Sequence, residues 1–245
     1  MGQPFAILLV RNWCWGAIAL LFSLGVHASE GRVEAGNYHN FWLWSAVRSQ
    51  PVLKQAQVLY LHQAEIMTRR GKPTLYKRGL PYSAIVVPDV WISVRVSTLD
   101  IPDSMLNALL KLCRNWEAAG THVVGIQIDF DAASYRLDQY SVFLLKLKSK
   151  LPTGYKLGVT GLLDWAKTGS VEQLNQLPVD EVVIQTYQGR HTVTRYQEYL
   201  PALRGLNIPF KIGLVQNGVW DERCQRYFAT SPNYLGEVVF LLNEQ

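Results

Sequence analysis

The sequence has few residues of the kinds that mark metal, redox and phosphate sites. Its 245 residues include only three cysteines and five histidines. None of them falls into the spacing typical of zinc ligands or of a redox Cys-x-x-Cys motif. It also lacks a glycine-rich phosphate loop and a nucleophile elbow of the form Gly-x-Ser-x-Gly. The sequence therefore predicts no metal and no cofactor.

Charge is also sparse and only slightly unbalanced. Charged residues make up 18% of the chain and the net charge is +5. Mild basicity without a stripe of Lys and Arg is weak support for nucleic-acid binding. We expect no nucleic-acid partner.

Long apolar runs are absent except near the N-terminus. There, Arg11 is the only charge before Glu30, and an apolar segment covers residues 13–26. A small-x-small sequence at its end is typical of a signal-peptide cleavage site. The rival interpretation is an uncleaved anchor, but the run is shorter than the roughly 20 residues that a spanning helix needs. We predict a signal peptide at residues 1–28, a single domain at 29–245, and a periplasmic or secreted protein without a stable membrane span.

The two cysteines of the expected mature chain leave their redox state open. An export signal permits a disulfide between Cys113 and Cys224. Equally, Cys113 lies on the apolar face of a predicted helix, where a free thiol packs as a small hydrophobic group.

Short apolar runs recur along the rest of the chain in the manner of strands. They are rich in Val, Ile, Tyr and Trp and are bounded by Gly, Pro, Asn or Asp. Eight strands are predicted: residues 38–45, 57–62, 91–97, 123–130, 155–162, 181–187, 209–215 and 236–242.

Helical patterns lie between several of these strands. Clear apolar faces at helical spacing occupy residues 103–119 and 137–150, and weaker ones occupy 170–177 and 195–204. Strands that alternate with helices pair in parallel, and eight of them can close into a barrel. An open doubly wound sheet is the alternative, but it would favour a glycine-rich phosphate loop. We predict an α/β fold with a single (β/α)8 TIM-type barrel, and we expect the last helix to be missing.

The connection over residues 64–90 is unusually long and basic. One interpretation is a solvated loop. The other is a basic rim that attracts an anionic polymer, because a loop that follows a barrel strand lies on the face where active sites form. Its cations are Arg69, Arg70, Lys72, Lys77 and Arg78.

The stretch Gly-Ile-Gln-Ile-Asp-Phe-Asp, residues 125–131, places polar groups where a strand is usually apolar. Side chains alternate across a strand, so Gln127, Asp129 and Asp131 share one face. In a barrel that face points inward, with Asp131 nearest the C-terminal mouth. Neighbouring like charges raise the pKa of one carboxyl group, which can then act as a general acid. The alternative is that Asp129 accepts backbone bonds and Asp131 caps the next helix.

This stretch resembles the fourth-strand signature of the chitinase-type glycoside hydrolases of family eighteen, Asp-Gly-x-Asp-x-Asp-x-Glu. The resemblance places Gln127 at the first inner Asp, Asp129 at the second, and Asp131 at the catalytic Glu. "QTYQ", which begins at Gln185, resembles the Met-x-Tyr-Asp motif of that family, with Tyr187 at the tyrosine that supports the acetamido group. Departures at four of these positions put catalysis in doubt.

A longer stretch, "GIQIDFDAASYRLDQY…LPTGYKLGVTGLLDW", resembles the bacterial family described as domain of unknown function 3142. That family is grouped by likeness with the barrel glycosidases. The closer resemblance therefore implies the fold, and the more distant one implies the chemistry.

Other residues are candidates for contacts with a sugar. Arg95 shares the parity of Trp91 and is expected to pair with Asp129 if it faces inward. Asp164 is expected at the mouth, either as a third carboxylate or as a turn residue. Aromatic rings stack on sugars, and three tryptophans fall at predicted strand ends or in the loops that follow, with core packing as their alternative role: Trp44, Trp165 and Trp220.

Taken together, these patterns predict an exported glycoside hydrolase-like barrel that acts on an envelope or extracellular polysaccharide. In this hypothesis Asp131 is the proton donor, Asp129 its electrostatic partner and Tyr187 a supporting residue. The substrate contacts would come from Gln127, Gln185, Arg95, Asp164, Trp44, Trp165 and Trp220. The alternatives are a non-catalytic carbohydrate-binding barrel and a scaffold for another exported protein. The sequence does not decide whether the protein is an enzyme.

Overall fold

The short apolar runs form a closed barrel of eight parallel strands. The computed structural model describes residues 30–130, 136–165 and 171–243. Each strand pairs with its neighbours in chain order, and the last pairs with the first, which excludes the open sheet. The strands are β1 Asn40–Leu43, β2 Val58–Arg69, β3 Asp89–Val96, β4 Val123–Asp129, β5 Lys156–Leu162, β6 Glu181–Gln185, β7 Phe210–Val215 and β8 Tyr234–Phe240.

Within the described ranges, the helices that cover the barrel are few and several are short. They are α1 Asp103–Ala118, α2 Leu137–Lys148, α3 Val171–Asn175, α4 Leu200–Leu203 and α5 Glu222–Phe228, with 3-10 turns at Ala35–Asn37, Pro51–Gln55 and Tyr196–Glu198. No helix follows β8 within the described part of the chain, which reaches Asn243. None of the described helices is long and apolar enough to span a membrane. The fold is a reduced (β/α)8 barrel.

Strand alternation separates two apolar cores. On β4, Ile126 and Ile128 are fully buried in the large core between barrel and helices. The alternate residues Gln127 and Asp129 point into the barrel. The interior core is much smaller and consists largely of aromatic and valine side chains: Trp42, Tyr60, Trp91, Val183 and Val238.

Two interior glycines make room for the indole rings. A Cβ atom on Gly213 would lie 2.8 Å from the ring of Trp42, and one on Gly158 would lie 3.1 Å from the ring of Trp91. Because core side chains cannot overlap, these positions accept no larger residue without a shift of the tryptophan. The glycines thus allow two indoles to fill a narrow barrel.

Near the N-terminal ends of the strands, the barrel interior contains a buried ionic cluster that the sequence patterns do not predict. Lys211 on β7 donates to Glu181 on β6 and, at 2.9 Å, to the hydroxyl of Tyr60 on β2. Tyr60 in turn donates to Glu181. Burial and the Glu181 carboxylate raise the pKa of Tyr60 well above its usual value. The cluster links three strands by charge-assisted hydrogen bonds.

The basic connection after β2 is mostly a hairpin rather than a loop. β2 continues to Arg69, turns at Arg70 and Gly71, and returns as the antiparallel strand Lys72–Lys77. Both turn residues have positive φ, 49° and 74°, as a tight two-residue hairpin turn requires. The expected end of the strand at residue 62 is therefore wrong, because the hairpin partner extends it.

Both cysteines in the described part of the chain are free thiols. Cys113 is fully buried on the core face of α1, and Cys224 is half-buried on α5. Burial raises the pKa of Cys113, and it raises the pKa of Cys224 to about 11. Cys113 thus packs as a hydrophobic group.

Candidate functional site at the barrel mouth

A cavity of about 730 Å³ opens at the C-terminal ends of the barrel strands. Active sites of this fold form on that face, from the strand ends and the loops that follow them. The cavity combines polar groups on one part of its wall with aromatic rings on another. Its polar lining is Arg95, Asp129, Thr160, Asp164, Gln185 and Gln188, and its aromatic lining is Trp42, Trp44, Tyr187, Tyr199 and Phe240.

Asp129 is held in position by neighbours on both adjoining strands. The hydroxyl of Thr160 on β5 donates to Oδ1 at 2.7 Å. Arg95 on β3 places its Nε 3.8 Å from Oδ2, so the expected pairing of these two residues is present. Asp129 itself is only 7% exposed. A carboxylate fixed in this way supplies negative charge at the base of the cavity without rotating freely.

Gln127 precedes Asp129 by two residues on β4, so its side chain lies on the same face and deeper in the barrel. Its Oε1 accepts from the indole of Trp42 at 2.7 Å and from the hydroxyl of Ser93 at 3.0 Å. Its side chain is fully buried, and Nε2 has no hydrogen-bond partner among the described residues. The neutral amide accepts two hydrogen bonds here without placing a second buried charge beneath Asp129.

The aromatic wall is a connected cluster of rings. The ring centroid of Phe240 lies 5.4 Å from that of Tyr187 and 5.7 Å from that of Trp44. Tyr187 also meets Trp42 edge-on at 6.4 Å. These separations are typical of aromatic pairs that hold each other in place. The wall therefore offers rigid apolar faces opposite the carboxylate.

The ring of Trp44 packs against the buried imidazole of His62. Their rings stack at 3.9 Å with an angle of 2° between planes. The Nδ1 atom of His62 lies 3.4 Å from the donating backbone N–H of Ser45, which requires an unprotonated Nδ1. Burial lowers the pKa of His62 to about 4, outweighing the opposing effect of Glu65. At neutral pH the imidazole is uncharged and accepts this bond.

From the lowered pKa of His62 we predict that this residue makes the free energy of unfolding sensitive to acid. The unfolded chain binds a proton near pH 6.5, whereas the folded chain resists it until about pH 4. The contribution of neutral His62 to the free energy of unfolding is therefore fully present above pH 6.5. It is lost as the pH falls from 6.5 through about 4, and the loss is about 3 kcal/mol at most. His62→Phe keeps a ring beside Trp44 and is expected to reduce this loss.

Urea unfolding at pH 7 and at pH 4.5 measures the difference. His191→Phe, at an exposed histidine, is the matched control. An equal loss of stability on acidification in the wild type and in both variants would contradict the assignment.

Most of the predicted contact residues meet at the cavity. Arg95, Asp129, Asp164, Gln185, Tyr187 and Trp44 line it, and Gln127 lies beneath. Asp131, the predicted proton donor, lies outside the described residues.

Two of the three predicted tryptophans lie elsewhere. Trp165 is fully buried in the outer core and contacts Tyr140 at 6.3 Å. Trp220 is 2% exposed and stacks on Tyr196 at 5.5 Å. Neither lines the mouth cavity, because each side chain packs against the outside of the barrel. Both side chains thus take the alternative role of core packing rather than a place at the mouth.

Several cavity residues were not anticipated. Thr160, Trp42 and Phe240 each share the inward parity of their strands, a signal that the sequence carries and that would have found them. Tyr199 lies between β6 and β7, within the weak helical pattern predicted over residues 195–204, and that pattern does not indicate that its side chain reaches the mouth. Among the described residues, no group of three or more His, Cys, Asp or Glu is placed to hold a metal ion.

The fold is a closed parallel α/β barrel of the TIM type, with the cavity at the C-terminal ends of its strands. The chain is similar to the tamarind chitinase-like lectin, with a TM-score of 0.52 and 8% identity over 83% of this chain and 94% of that one. It is also similar to the Bacillus cereus spore cortex-lytic enzyme SleL, with a TM-score of 0.47 and 18% identity over 76% of this chain. The match spans about half, 51%, of the SleL chain.

The family resemblance is confirmed over the middle of the chain. Residues 85–200 match the family described as Domain of unknown function (DUF3142). This region runs from just before β3 to the start of α4 and contains Asp129, Thr160 and Tyr187. A comparison with curated protein sequences finds no match.

Proposed function

We propose that the protein is a glycoside hydrolase-like barrel that acts on an envelope or extracellular polysaccharide. The observation that carries this proposal is the mouth cavity, in which the fixed carboxylate of Asp129 faces a wall of aromatic rings. Sugar rings present apolar faces and a rim of hydroxyl groups. The aromatic wall can pack against the apolar faces, and the carboxylate and amides can form hydrogen bonds with the hydroxyl groups.

The assigned roles follow the strand register. Asp131 is two residues beyond Asp129, so the alternation of a strand predicts that it continues the inward row towards the mouth. Asp131 would donate the proton to the leaving oxygen, and Asp129 would act on it electrostatically. Tyr187 would position the sugar, and an acetamido group of the substrate would serve as nucleophile if the likeness to family eighteen extends to mechanism.

A non-catalytic carbohydrate-binding barrel is the second candidate, favoured by specific features of the cavity. Thr160 and Arg95 engage both oxygens of Asp129. The neutral Gln127 replaces an inner Asp, and Asp131 is one methylene shorter than the usual Glu acid. The tamarind protein with this fold is named a lectin as well as chitinase-like.

Export belongs to the same proposal. A signal peptide at residues 1–28, which lie outside the described residues, would bring the barrel to the periplasm or medium. Envelope and extracellular polysaccharides are found there. The recovered protein is then expected to begin near Ser29.

A glycan-binding screen followed by turnover assays tests the proposal. The exported protein is used, and its N-terminus is checked by mass spectrometry. Tyr187→Ala removes a ring of the aromatic wall and is expected to weaken binding by about tenfold, since an aromatic contact contributes roughly 1 kcal/mol beyond its buried area. Tyr227→Ala, at a tyrosine on α5 away from the cavity, is the control.

The outcomes separate the two candidates. Release of reducing ends from a bound glycan supports the hydrolase. Binding that depends on Tyr187 without turnover supports the binding protein. If no glycan binds, or if both tyrosine variants bind like the wild type, the cavity is not a carbohydrate site.

A further inference from the structure

One row of side chains runs from the cavity across four strands onto the hairpin. Asp129 on β4 pairs in register with Arg95 on β3, and Arg95 pairs with Glu65 on β2. Glu65 pairs in turn with Tyr76 on the returning strand. Residues that pair across strands share one face of the sheet. The face of the hairpin that carries Glu65 and Tyr76 therefore continues the wall that carries Asp129.

The hairpin, residues 64–78, is here called the arm. On its cavity-side face the next pairs outward are Met67 with Thr74 and Arg69 with Lys72. Arg69 and Lys72 are each four residues beyond the row of Glu65, and at about 3.4 Å per residue this pair lies about 14 Å farther out. The opposite face bears Ile66, which is fully buried in the outer core. The arm is thus anchored on one side, and its other side, which carries the exposed Met67, Arg69 and Lys72, continues the register of the cavity wall.

The charges on the arm are almost all positive. It carries five cations and a single acid, Glu65, which pairs with Arg78 at 2.9 Å. Four further cations are exposed and form no ion pair with any described acid: Arg69, Arg70, Lys72 and Lys77. Cations held together repel one another, and this repulsion is relieved when an anion binds.

We propose that the arm extends the cavity into a groove for an acidic polysaccharide. Guanidinium and ammonium groups bind the carboxylate or sulfate groups of such a polymer. Arg95, 48% exposed on the cavity wall, continues the positive track inward. A neutral glycan would gain nothing from these cations. Polysaccharide is favoured over nucleic acid because the track leads into the mouth cavity, whose aromatic rings and amides fit the apolar faces and hydroxyl groups of sugar units. This inference rests on the proposed function and specifies its substrate class.

A charge-matched binding experiment tests the arm. The probes are polygalacturonate with its methyl ester, and dextran sulfate with neutral dextran. Arg69→Ser/Lys72→Ser removes the outer pair of cations and is expected to weaken polyanion binding at low salt by about tenfold. The same variant should leave the binding of the uncharged probes unchanged. Lys54→Ser/Lys156→Ser removes two exposed cations before β2 and at the start of β5, near the other barrel end.

The result that supports the proposal is a preference for a charged probe that the arm variant loses and the control variant keeps. A preference for polygalacturonate alone assigns carboxylates, and one for dextran sulfate alone assigns sulfates. The proposal is overturned if neither polyanion is preferred or if both double variants behave alike. It is also overturned if RNA or phosphatidylglycerol vesicles bind the arm as tightly as the polysaccharides.

Tyr187→Ala separates this inference from the function on which it rests. If this variant loses glycan binding while the arm variant does not, the cavity is a carbohydrate site and the arm proposal fails. If polyanion binding depends on the arm but not on Tyr187, the arm does not extend the cavity and this inference fails. The proposed function also fails only if no other glycan depends on Tyr187 for its binding. Loss of polyanion binding in both variants supports a continuous groove.

Discussion

Asp131→Asn is expected to lower turnover of a glycan substrate by about 10²–10⁴-fold, which is the usual loss when general acid catalysis is removed. The amide has nearly the shape of the carboxyl group but cannot donate a proton as an acid. It still forms hydrogen bonds, so glycan affinity should survive. Initial rates and binding constants measured on the same glycan provide the comparison.

Asp129→Asn is the informative companion variant. Asp129 is held by Thr160 and Arg95, so the amide should slow turnover and shift the pH optimum by removing a neighbouring charge. Asp131→Glu restores the usual length of the family-eighteen acid and is expected to be active only if the cavity has room for it. Unchanged turnover in Asp131→Asn would contradict the acid assignment.

A wild-type protein that binds a glycan without turning it over would favour the second candidate. The carboxylate row would then accept hydrogen bonds from sugar hydroxyl groups. In that case Asp129→Asn should weaken binding, whereas in the hydrolase it should act mainly on the rate. The same two variants therefore distinguish the roles of the row in both candidates.

The sequence predicts the barrel and the base of the site for one physical reason. Strand alternation fixes the side of the sheet to which each residue points, so the inward placement of Gln127 and Asp129 follows once the strand is recognised. The same rule places Tyr187, Gln185 and Arg95 at the cavity. Strand alternation does not apply to Trp165 and Trp220. Both lie beyond the barrel strand that precedes them, where the chain turns back along the outside of the barrel.

The hairpin and the ionic cluster are less predictable for different reasons. Arg70 takes a left-handed turn conformation that is uncommon for a non-glycine residue, so the basic run does not look like a hairpin turn. Lys211 and Glu181 are 30 residues apart. Each is a charge within an apolar strand, and no local pattern shows that the barrel brings them together.

This cluster predicts the largest stability effect outside the cavity. Lys211→Met is expected to reduce the free energy of unfolding by about 3–5 kcal/mol, because it leaves the buried carboxylate of Glu181 without its cation. The apolar side chain is similar in volume, so packing should change little. Urea unfolding followed by tryptophan fluorescence measures the loss.

Two further variants show whether an uncompensated charge is the cause. Lys148→Met breaks the exposed pair with Asp180, whose ion-pair distance is 3.1 Å, and should cost less than about 1 kcal/mol. Glu181→Gln in the Lys211→Met background removes the stranded charge while keeping an acceptor for the hydroxyl of Tyr60, so it should recover at least half of the lost stability. If Lys211→Met costs no more than Lys148→Met, the pair is solvated rather than buried. If the second substitution recovers nothing, the loss comes from packing, and the cation does not compensate a charge inside the barrel.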